Sequence, residues 1–153
     1  MAIDAQHIAA GLLQAVPFAA TLGLEFVDVT VGDDGPVAVV RLPDSPAHHN
    51  HVGGPHAGAL FTLGESASGA VVFGAFGDRL DRVVPLTVRA DIAYRKLAMG
   101  VVTATARLAG PVADIEASLE AGVRPEFAVP VTIHRDDGEV AAEMTVVWTL
   151  RLR

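Results

Sequence analysis

Apolar and polar residues alternate along most of this chain, and this is the pattern of strands that bury one face. The clearest stretch is the last one, Val140–Leu152. Gly-Asp-Asp-Gly and Asp-Asp-Gly separate pairs of such runs and are typical of hairpin turns. The pattern therefore predicts an antiparallel sheet. Its other predicted strands are Leu24–Val31, Val37–Leu42, Val84–Tyr94, Val102–Leu108 and Phe127–His134.

One long segment departs from this alternation. Ala57–Phe76 is apolar with a helical period and too long for a strand, so it predicts a central helix buried on most sides. A second helix is predicted over Ala5–Leu22, interrupted at Pro17. Val112–Gly122 fits either a short helix or a loop. Strands around a single long helix predict an α+β fold, with one domain over residues 1–153.

Composition narrows the classes of protein. A chain of 153 residues with 51% hydrophobic residues can bury a core without metals or disulfides, and it has no cysteine. We therefore expect a cytoplasmic protein. The net charge of −7 argues against nucleic acid or an anionic membrane as partner. No run of about 18 uninterrupted apolar residues appears, so we expect no membrane span, and Met1–Ala10 does not resemble a secretory signal.

Glu65 is a single charge in the apolar central helix. Burying a lone carboxylate is costly, so two interpretations are open: a solvated glutamate on an exposed helix edge, or a general base or nucleophile. Gly58, Gly64 and Gly69 surround it in sequence, and each glycine costs about 1 kcal/mol in a helix. This cost suggests that another backbone or a ligand approaches the helix beside Glu65.

The loop before the helix carries glycines, a proline and several histidines. It should leave backbone N–H groups free at the helix N-terminus, where they favour negative charge. Histidine clusters can bind metal, but this spacing matches no common zinc pattern, and Asp44 is the one nearby carboxylate. We therefore expect no metal and no other cofactor. The histidines are His48, His49, His51 and His56.

The loop and the helix together form a recognisable motif. It resembles the signature of hotdog-fold acyl-CoA thioesterases of the PaaI-like group, where asparagine and glycine precede His-Gly-Gly and an acidic residue follows nine positions after the histidine. Here alanine takes the place of the first glycine of that triplet, and glutamate that of the commoner aspartate. The resemblance covers the element order of the whole chain and implies an antiparallel sheet wrapped around one long helix. The matching positions are Asn50, Gly53, His56-Ala57-Gly58, Leu63 and Glu65.

The resemblance also implies a role for each motif residue. Glu65 would be the catalytic carboxylate, and Ala57 would polarise the thioester carbonyl with its backbone N–H. Asn50 would orient the water or the carbonyl, with His56 supporting it. In this family Glu65 of one subunit faces Asn50 and Ala57 of the other. The implied protein is thus a homodimer or homotetramer with its site at the dimer interface.

Two further residues are implied to contact the substrate, Gly58 and Thr87. Relatives often have serine or threonine at the position of Thr87, where it positions the water. Strict alternation along the predicted strand, however, places Thr87 on the polar face with Arg89 and Asp91, away from the helix. An ordinary strand threonine is the alternative interpretation.

Other functions remain open beside hydrolysis of an acyl-CoA. A non-catalytic hotdog module would keep the pocket and bind acyl-CoA or lipid. A hydratase or dehydratase would need an acid–histidine dyad, but His56 and Glu65 lie about 13 Å apart along one helix. Such a dyad could form only between subunits.

The substrate itself would need contacts at both ends. The candidates for the CoA phosphates are four basic residues: Arg89, Arg95, Lys96 and Arg124. Four apolar residues suit either an acyl pocket or the core: Phe61, Val72, Phe73 and Phe76.

Overall fold

The computed structural model describes residues 5–153, so the interpretation of Met1–Ala10 lies partly outside the described residues. The predicted N-terminal helix is divided at Pro17, and the ambiguous segment near residue 115 is helical. The helices are α1 (Ala5–Ala15), α2 (Pro17–Thr21), α3 (Ala57–Phe76) and α4 (Val112–Glu120). The strands are β1 (Glu25–Gly32), β2 (Gly35–Leu42), β3 (Val83–Tyr94), β4 (Val102–Arg107), β5 (Glu126–Arg135) and β6 (Val140–Leu152).

The strands form one sheet of six in the order β1-β2-β4-β5-β6-β3, with every neighbouring pair antiparallel. The hairpin β1–β2 turns through Asp33 and Asp34, as Gly-Asp-Asp-Gly predicts. Helix α3 packs against one face of the sheet, where it contacts β1, β2, β4, β5 and β6. The predicted α+β architecture, an antiparallel sheet around one long helix, is confirmed.

Helix α3 is the centre of the hydrophobic core. Leu63, Val72 and Phe76 are fully buried, and the Trp148 indole N–H on β6 donates to the buried Ser68 hydroxyl on α3 at 2.9 Å. With the turn that follows it, the helix is long and apolar enough to cross a membrane, at a mean hydropathy of 1.4. However, 67% of that stretch is buried inside the fold. These contacts are those of a core helix.

Gly64 and Gly69 of α3 face side chains rather than a neighbouring backbone, and only at Gly64 would a Cβ be too close. A Cβ at Gly64 would lie 2.5 Å from the Met144 sulfur, and one at Gly69 would lie 3.6 Å from the Trp148 ring. Both neighbours belong to β6 of the same chain. The expectation of an approaching backbone or ligand beside Glu65 is therefore wrong for these two glycines.

Strand β3 lies at one edge of the sheet and carries a bulge. Its register with β6 pairs Thr87 with Trp148 and Arg89 with Val147, so Val88 is the extra residue. Directly paired residues point to the same face, and Trp148 faces α3. Thr87 therefore faces the helix side and Arg89 the opposite side. Strict alternation predicted the same face for both and is wrong, because the bulge changes the parity.

Candidate active site

The N-terminus of α3 is capped by the histidine of the motif. His56 is the N-cap residue in an extended conformation, and its Nδ1 accepts a hydrogen bond from the Gly58 N–H at 2.8 Å. Nδ1 must carry a lone pair to accept this bond, which places the proton of the neutral ring on Nε2. Gly58, predicted to contact substrate, thus has its N–H engaged within the helix cap.

The cap has a measurable contribution to stability. We expect His56→Ala to lower the free energy of unfolding by about 1 kcal/mol, because one N–H of the first turn loses its acceptor. His56→Asn should restore most of the loss, since asparagine is a good N-cap residue. Urea unfolding measures both, with the exposed His51→Ala as control. An equal loss in His51→Ala would contradict the capping role.

Asn50 organises the loop that leads into the helix. Its Oδ1 accepts hydrogen bonds from the N–H groups of Val52 (3.0 Å) and Gly54 (3.2 Å), and its Nδ2 donates to the Pro55 carbonyl at 3.4 Å. A Cβ at Gly54 would collide with the Ala98 carbonyl, so the loop tolerates only glycine there. Nδ2 is the part of Asn50 with a further hydrogen to donate to a ligand.

Ala57 is the first residue of α3 and is exposed. Its N–H has no hydrogen-bond acceptor among the described residues, whereas the neighbouring N–H groups of His56 and Gly58 bond to the His48 carbonyl and to the His56 ring. The helix dipole adds a partial positive charge at this end. Ala57 therefore offers a free donor to a carbonyl oxygen that develops negative charge.

A cleft of about 330 Å³ opens beside Ala57. Tyr94, at the end of β3, forms part of its wall and donates from its hydroxyl to the Ala57 carbonyl at 3.0 Å. Tyr94 is not among the predicted site residues, although it is the only tyrosine of the sequence and ends a predicted strand. The full lining is Asn50, Pro55, Ala57, Leu60, Tyr94, Arg95, Lys96, Leu97 and Ala98.

Glu65 lies on the stripe of α3 that the other residues of 5–153 leave uncovered. Its side chain is half-buried, and its carboxylate forms no hydrogen bond or ion pair within residues 5–153, whereas its backbone carbonyl accepts from the Ser68 hydroxyl at 2.6 Å. Burial raises the pKa of the Glu65 carboxyl above its usual 4.5. On the same stripe, Ala57, Gly58 and Phe61 are exposed. This arrangement fits neither a fully solvated glutamate nor a paired structural one.

Glu65 and the Ala57 N–H cannot act on one substrate atom within a single chain. They are eight residues apart on α3, about 12 Å along the axis at 1.5 Å per residue. Asn50, in the cleft beside Ala57, is likewise at the helix N-terminus. The chain therefore brings together Asn50, His56, Ala57 and Gly58, and it leaves Glu65 apart from them.

Thr87 is the remaining predicted site residue. It is exposed on the helix side of β3, and its hydroxyl has no bonding partner among the residues described. This is the face from which a strand residue can reach a ligand bound against α3.

Comparison with known proteins identifies the family of this chain. Residues 5–150 match the family model described as a domain of unknown function, DUF4442. The chain belongs to this family. A comparison with curated proteins finds no match.

Solved structures similar to this DUF4442 protein share its fold. A Pseudomonas aeruginosa protein of unknown function, described as a probable thioesterase, is 25% identical and superposes with a TM-score of 0.85 over 100% of this chain and 99% of the other. A thioesterase family protein from Silicibacter pomeroyi is 21% identical, with a TM-score of 0.72 over 97% and 98%. PaaI of Escherichia coli, from the phenylacetic acid degradation operon, is 17% identical, with a TM-score of 0.69 over 95% and 91%. The DUF4442 protein therefore has the hotdog fold of PaaI-like thioesterases, as the motif predicts.

The histidine loop of the DUF4442 protein has structural contacts of its own. His49 Nε2 lies 2.7 Å from the Asp44 carboxylate, and the His48 carbonyl accepts from the His56 N–H at 2.7 Å. No group of three or more metal-ligating side chains comes together within residues 5–153. The loop thus stabilises the start of α3 through hydrogen bonds.

The remaining sequence candidates are divided by the structure. Arg95 and Lys96 line the cleft, whereas Arg89 pairs with Glu126 at 3.6 Å and lies outside it. Arg124 also lies outside the cleft and donates to the Thr149 hydroxyl at 3.0 Å. The apolar candidates divide as well. Two are fully buried in the core, one is partly buried and one is exposed: Val72, Phe76, Phe73 and Phe61.

Proposed function

We propose that this DUF4442 protein is an acyl-CoA thioesterase that hydrolyses an acyl-CoA to the free acid and CoA. The observation that carries the proposal is the half-buried Glu65 carboxylate on an exposed stripe of α3, the helix whose first N–H belongs to Ala57. Neither group has a hydrogen-bond partner among the residues that the structure describes. A thioester hydrolase needs a base or nucleophile and an oxyanion donor, and the chain offers both. The similarity to thioesterases supports the same reaction class.

The proposed chemistry divides the work between these two groups. The Ala57 N–H polarises the thioester carbonyl and stabilises the oxyanion, helped by the helix dipole. Glu65 takes a proton from a water that attacks the carbonyl carbon. The C–S bond then breaks, and the thiolate receives a proton from Glu65. Direct attack by Glu65, giving an anhydride that water hydrolyses, is the alternative route with the same products.

The supporting residues hold the substrate, the water and the start of α3 in place. The Asn50 Nδ2 has a hydrogen available to the carbonyl or the water, and the Thr87 hydroxyl on the helix side of β3 can hold the water. His56 keeps the helix start, and with it Ala57 and Gly58, in place through the cap. No metal or cofactor takes part in this scheme.

The proposed enzyme is a homodimer, or a homotetramer built from such dimers, with the site at the dimer interface. The separation of Ala57 and Glu65 supports this, because a second chain could bring its Glu65 to the first chain's Ala57. The free edge of β3, with Leu86 and Val88 more than a third exposed, supports it as well, since such edges tend to pair. We propose a cytoplasmic location, with neither nucleic acid nor a membrane as partner.

A thiol-release assay with acyl-CoAs of different chain lengths and ring content tests the proposal. We expect at least one to be turned over with a kcat in the range of about 1–10³ s⁻¹ typical of enzymes. Tight binding of acyl-CoA without turnover would instead identify a non-catalytic binding module. Hydration of an enoyl-CoA without thiol release would identify a hydratase.

The pH dependence gives a second test. Glu65 must be ionised to accept a proton or to attack, and burial raises its pKa above 4.5. We therefore expect kcat/KM to fall with decreasing pH, with a midpoint above 4.5. The measurement is a pH profile on the best substrate, with folding at each pH checked by circular dichroism. A rate that stays flat down to pH 4.5 would exclude Glu65 as the base.

A further inference from the structure

The cleft beside Ala57 is lined by a pair of cations. Among the described residues, Arg95 and Lys96 are the only charged ones in its lining, and the rest is apolar except for Asn50 and Tyr94. The chain as a whole has a net charge of −7. Two exposed cations in one cleft of an otherwise acidic protein, close to the N-terminus of α3, point to an anionic ligand.

The fold holds both cations at the cleft. Strand β3 ends at Tyr94, and the N–H groups of Arg95 and Lys96 both donate to the Ala141 carbonyl, at 2.8 and 3.1 Å. This shared acceptor fixes the backbone just beyond the strand. The side chains remain 58% and 52% exposed, so a ligand can reach them.

Each cation has an acidic partner on the rim. Arg95 Nε donates to Glu143 at 3.0 Å, and Lys96 Nζ donates to Glu139 at 2.6 Å. Lys96 correspondingly lowers the pKa of Glu139. Exposed ion pairs of this kind contribute little to stability. Both cations can therefore exchange a carboxylate for a phosphate group, which offers more charge and more acceptor oxygens.

We propose that Arg95 and Lys96 bind the phosphate groups of CoA, with the pantetheine arm lying in the cleft and the thioester at the Ala57 N–H. This inference rests on the proposed function and assigns its carrier subsite. Arg89 and Arg124 are excluded because neither lines the cleft. An uncharged pantetheine arm fits the apolar lining between the cation pair and the helix start.

Three thioesters with the same acyl group test the subsite: acyl-CoA, acyl-4′-phosphopantetheine and acyl-pantetheine. We expect the wild-type kcat/KM to fall as phosphates are removed. Arg95→Gln/Lys96→Met should lose about 10- to 100-fold on acyl-CoA and little on acyl-pantetheine, because the lost contacts are charge-assisted hydrogen bonds to phosphate. The loss should lie in KM rather than kcat, since the phosphates are remote from the reacting carbon.

The matched control is Arg41→Gln/Arg107→Gln. It also removes two positive charges, but from exposed positions outside the cleft, and Arg41 is ion-paired with Glu25 much as Arg95 is with Glu143. We expect it to keep the wild-type preference for acyl-CoA. The wild type and the control should also lose affinity as salt is added, and the cleft variant should respond less.

Two results would overturn the inference. One is an unchanged preference for acyl-CoA over acyl-pantetheine in the cleft variant. The other is an equal loss in the control. Turnover of acyl-pantetheine by the cleft variant verifies its fold. If no thioester is hydrolysed by any variant, the proposed function fails, and calorimetry with free CoA decides the subsite. Loss of CoA binding in the cleft variant but not in the control supports the phosphate subsite. Equal CoA binding by the cleft variant and the control overturns it.

Discussion

Glu65→Gln is expected to lower kcat by about 10²–10⁴-fold, the usual contribution of a positioned proton acceptor. Glutamine matches glutamate in size and keeps the hydrogen-bonding shape, but it can neither take a proton from water nor attack as a nucleophile. KM should change little, because the substrate contacts remain. The measurement is thiol release on the best acyl-CoA, beside Glu65→Ala.

The same substitution should leave the stability of the folded protein unchanged or raise it. Burial raises the pKa of Glu65, so ionising it costs more in the folded chain than in the unfolded one. The wild type therefore loses stability as the pH rises from 4.5 through the raised pKa, and the glutamine variant does not. Above that range we expect Glu65→Gln to melt at or above the wild-type temperature.

Glu120→Gln is the matched control for both measurements. It makes the same chemical change at an exposed glutamate at the end of α4. Activity and melting temperature should stay at wild-type values. Wild-type turnover in Glu65→Gln would remove Glu65 from the chemistry. A collapse of its melting temperature would contradict the account of Glu65 as an unpaired carboxylate.

The second large effect is expected at Ala57. Ala57→Pro removes the backbone N–H and little else, because proline is well tolerated at the first position of a helix. His56 before it has φ −61° and ψ 144°, a conformation that a following proline favours. We expect kcat to fall by about 10²–10³-fold, as when one oxyanion donor is lost.

Ala57→Gly distinguishes the effect of the backbone N–H from that of the alanine methyl group. It keeps the N–H, removes the methyl group and restores the His-Gly-Gly of the motif. We expect activity at or above the wild-type level and slightly lower helix stability, since glycine is the weaker helix former. Thiol release and thermal melting measure the two quantities. A proline variant as active as the glycine variant would eliminate the Ala57 N–H as oxyanion donor.

Long, regular stretches of the fold were predictable from sequence. The bounds of Ala57–Phe76 and Val140–Leu152 agree with the structure, because many residues in each repeat one periodicity. The bulge at Val88 was not predictable, since it depends on how β3 pairs with β6 rather than on any turn residue. It reverses the side to which Thr87 points and so makes Thr87 a better site candidate than its own strand pattern suggested.

The site was predictable in part for a similar reason. The nine-residue spacing of His56 and Glu65 fixes both on α3, one at its cap and one on its open stripe. The sequence could not reveal that the Asn50 Oδ1 accepts hydrogen bonds from loop N–H groups, nor that the Tyr94 hydroxyl donates to the Ala57 carbonyl. Both contacts join residues through loop or sheet geometry that no local pattern encodes.

The central claim is that Glu65 of one subunit activates the attack on a thioester whose carbonyl is polarised by the Ala57 N–H of the other subunit. Mixing Glu65→Gln with Ala57→Pro under conditions that exchange subunits tests it most directly, with native mass spectrometry to count mixed dimers. Each variant alone should be nearly inactive. Half of the random dimers are mixed, and each mixed dimer regains one intact site of two, so about a quarter of wild-type activity should return. Mixed dimers without recovered thiol release would contradict the shared site.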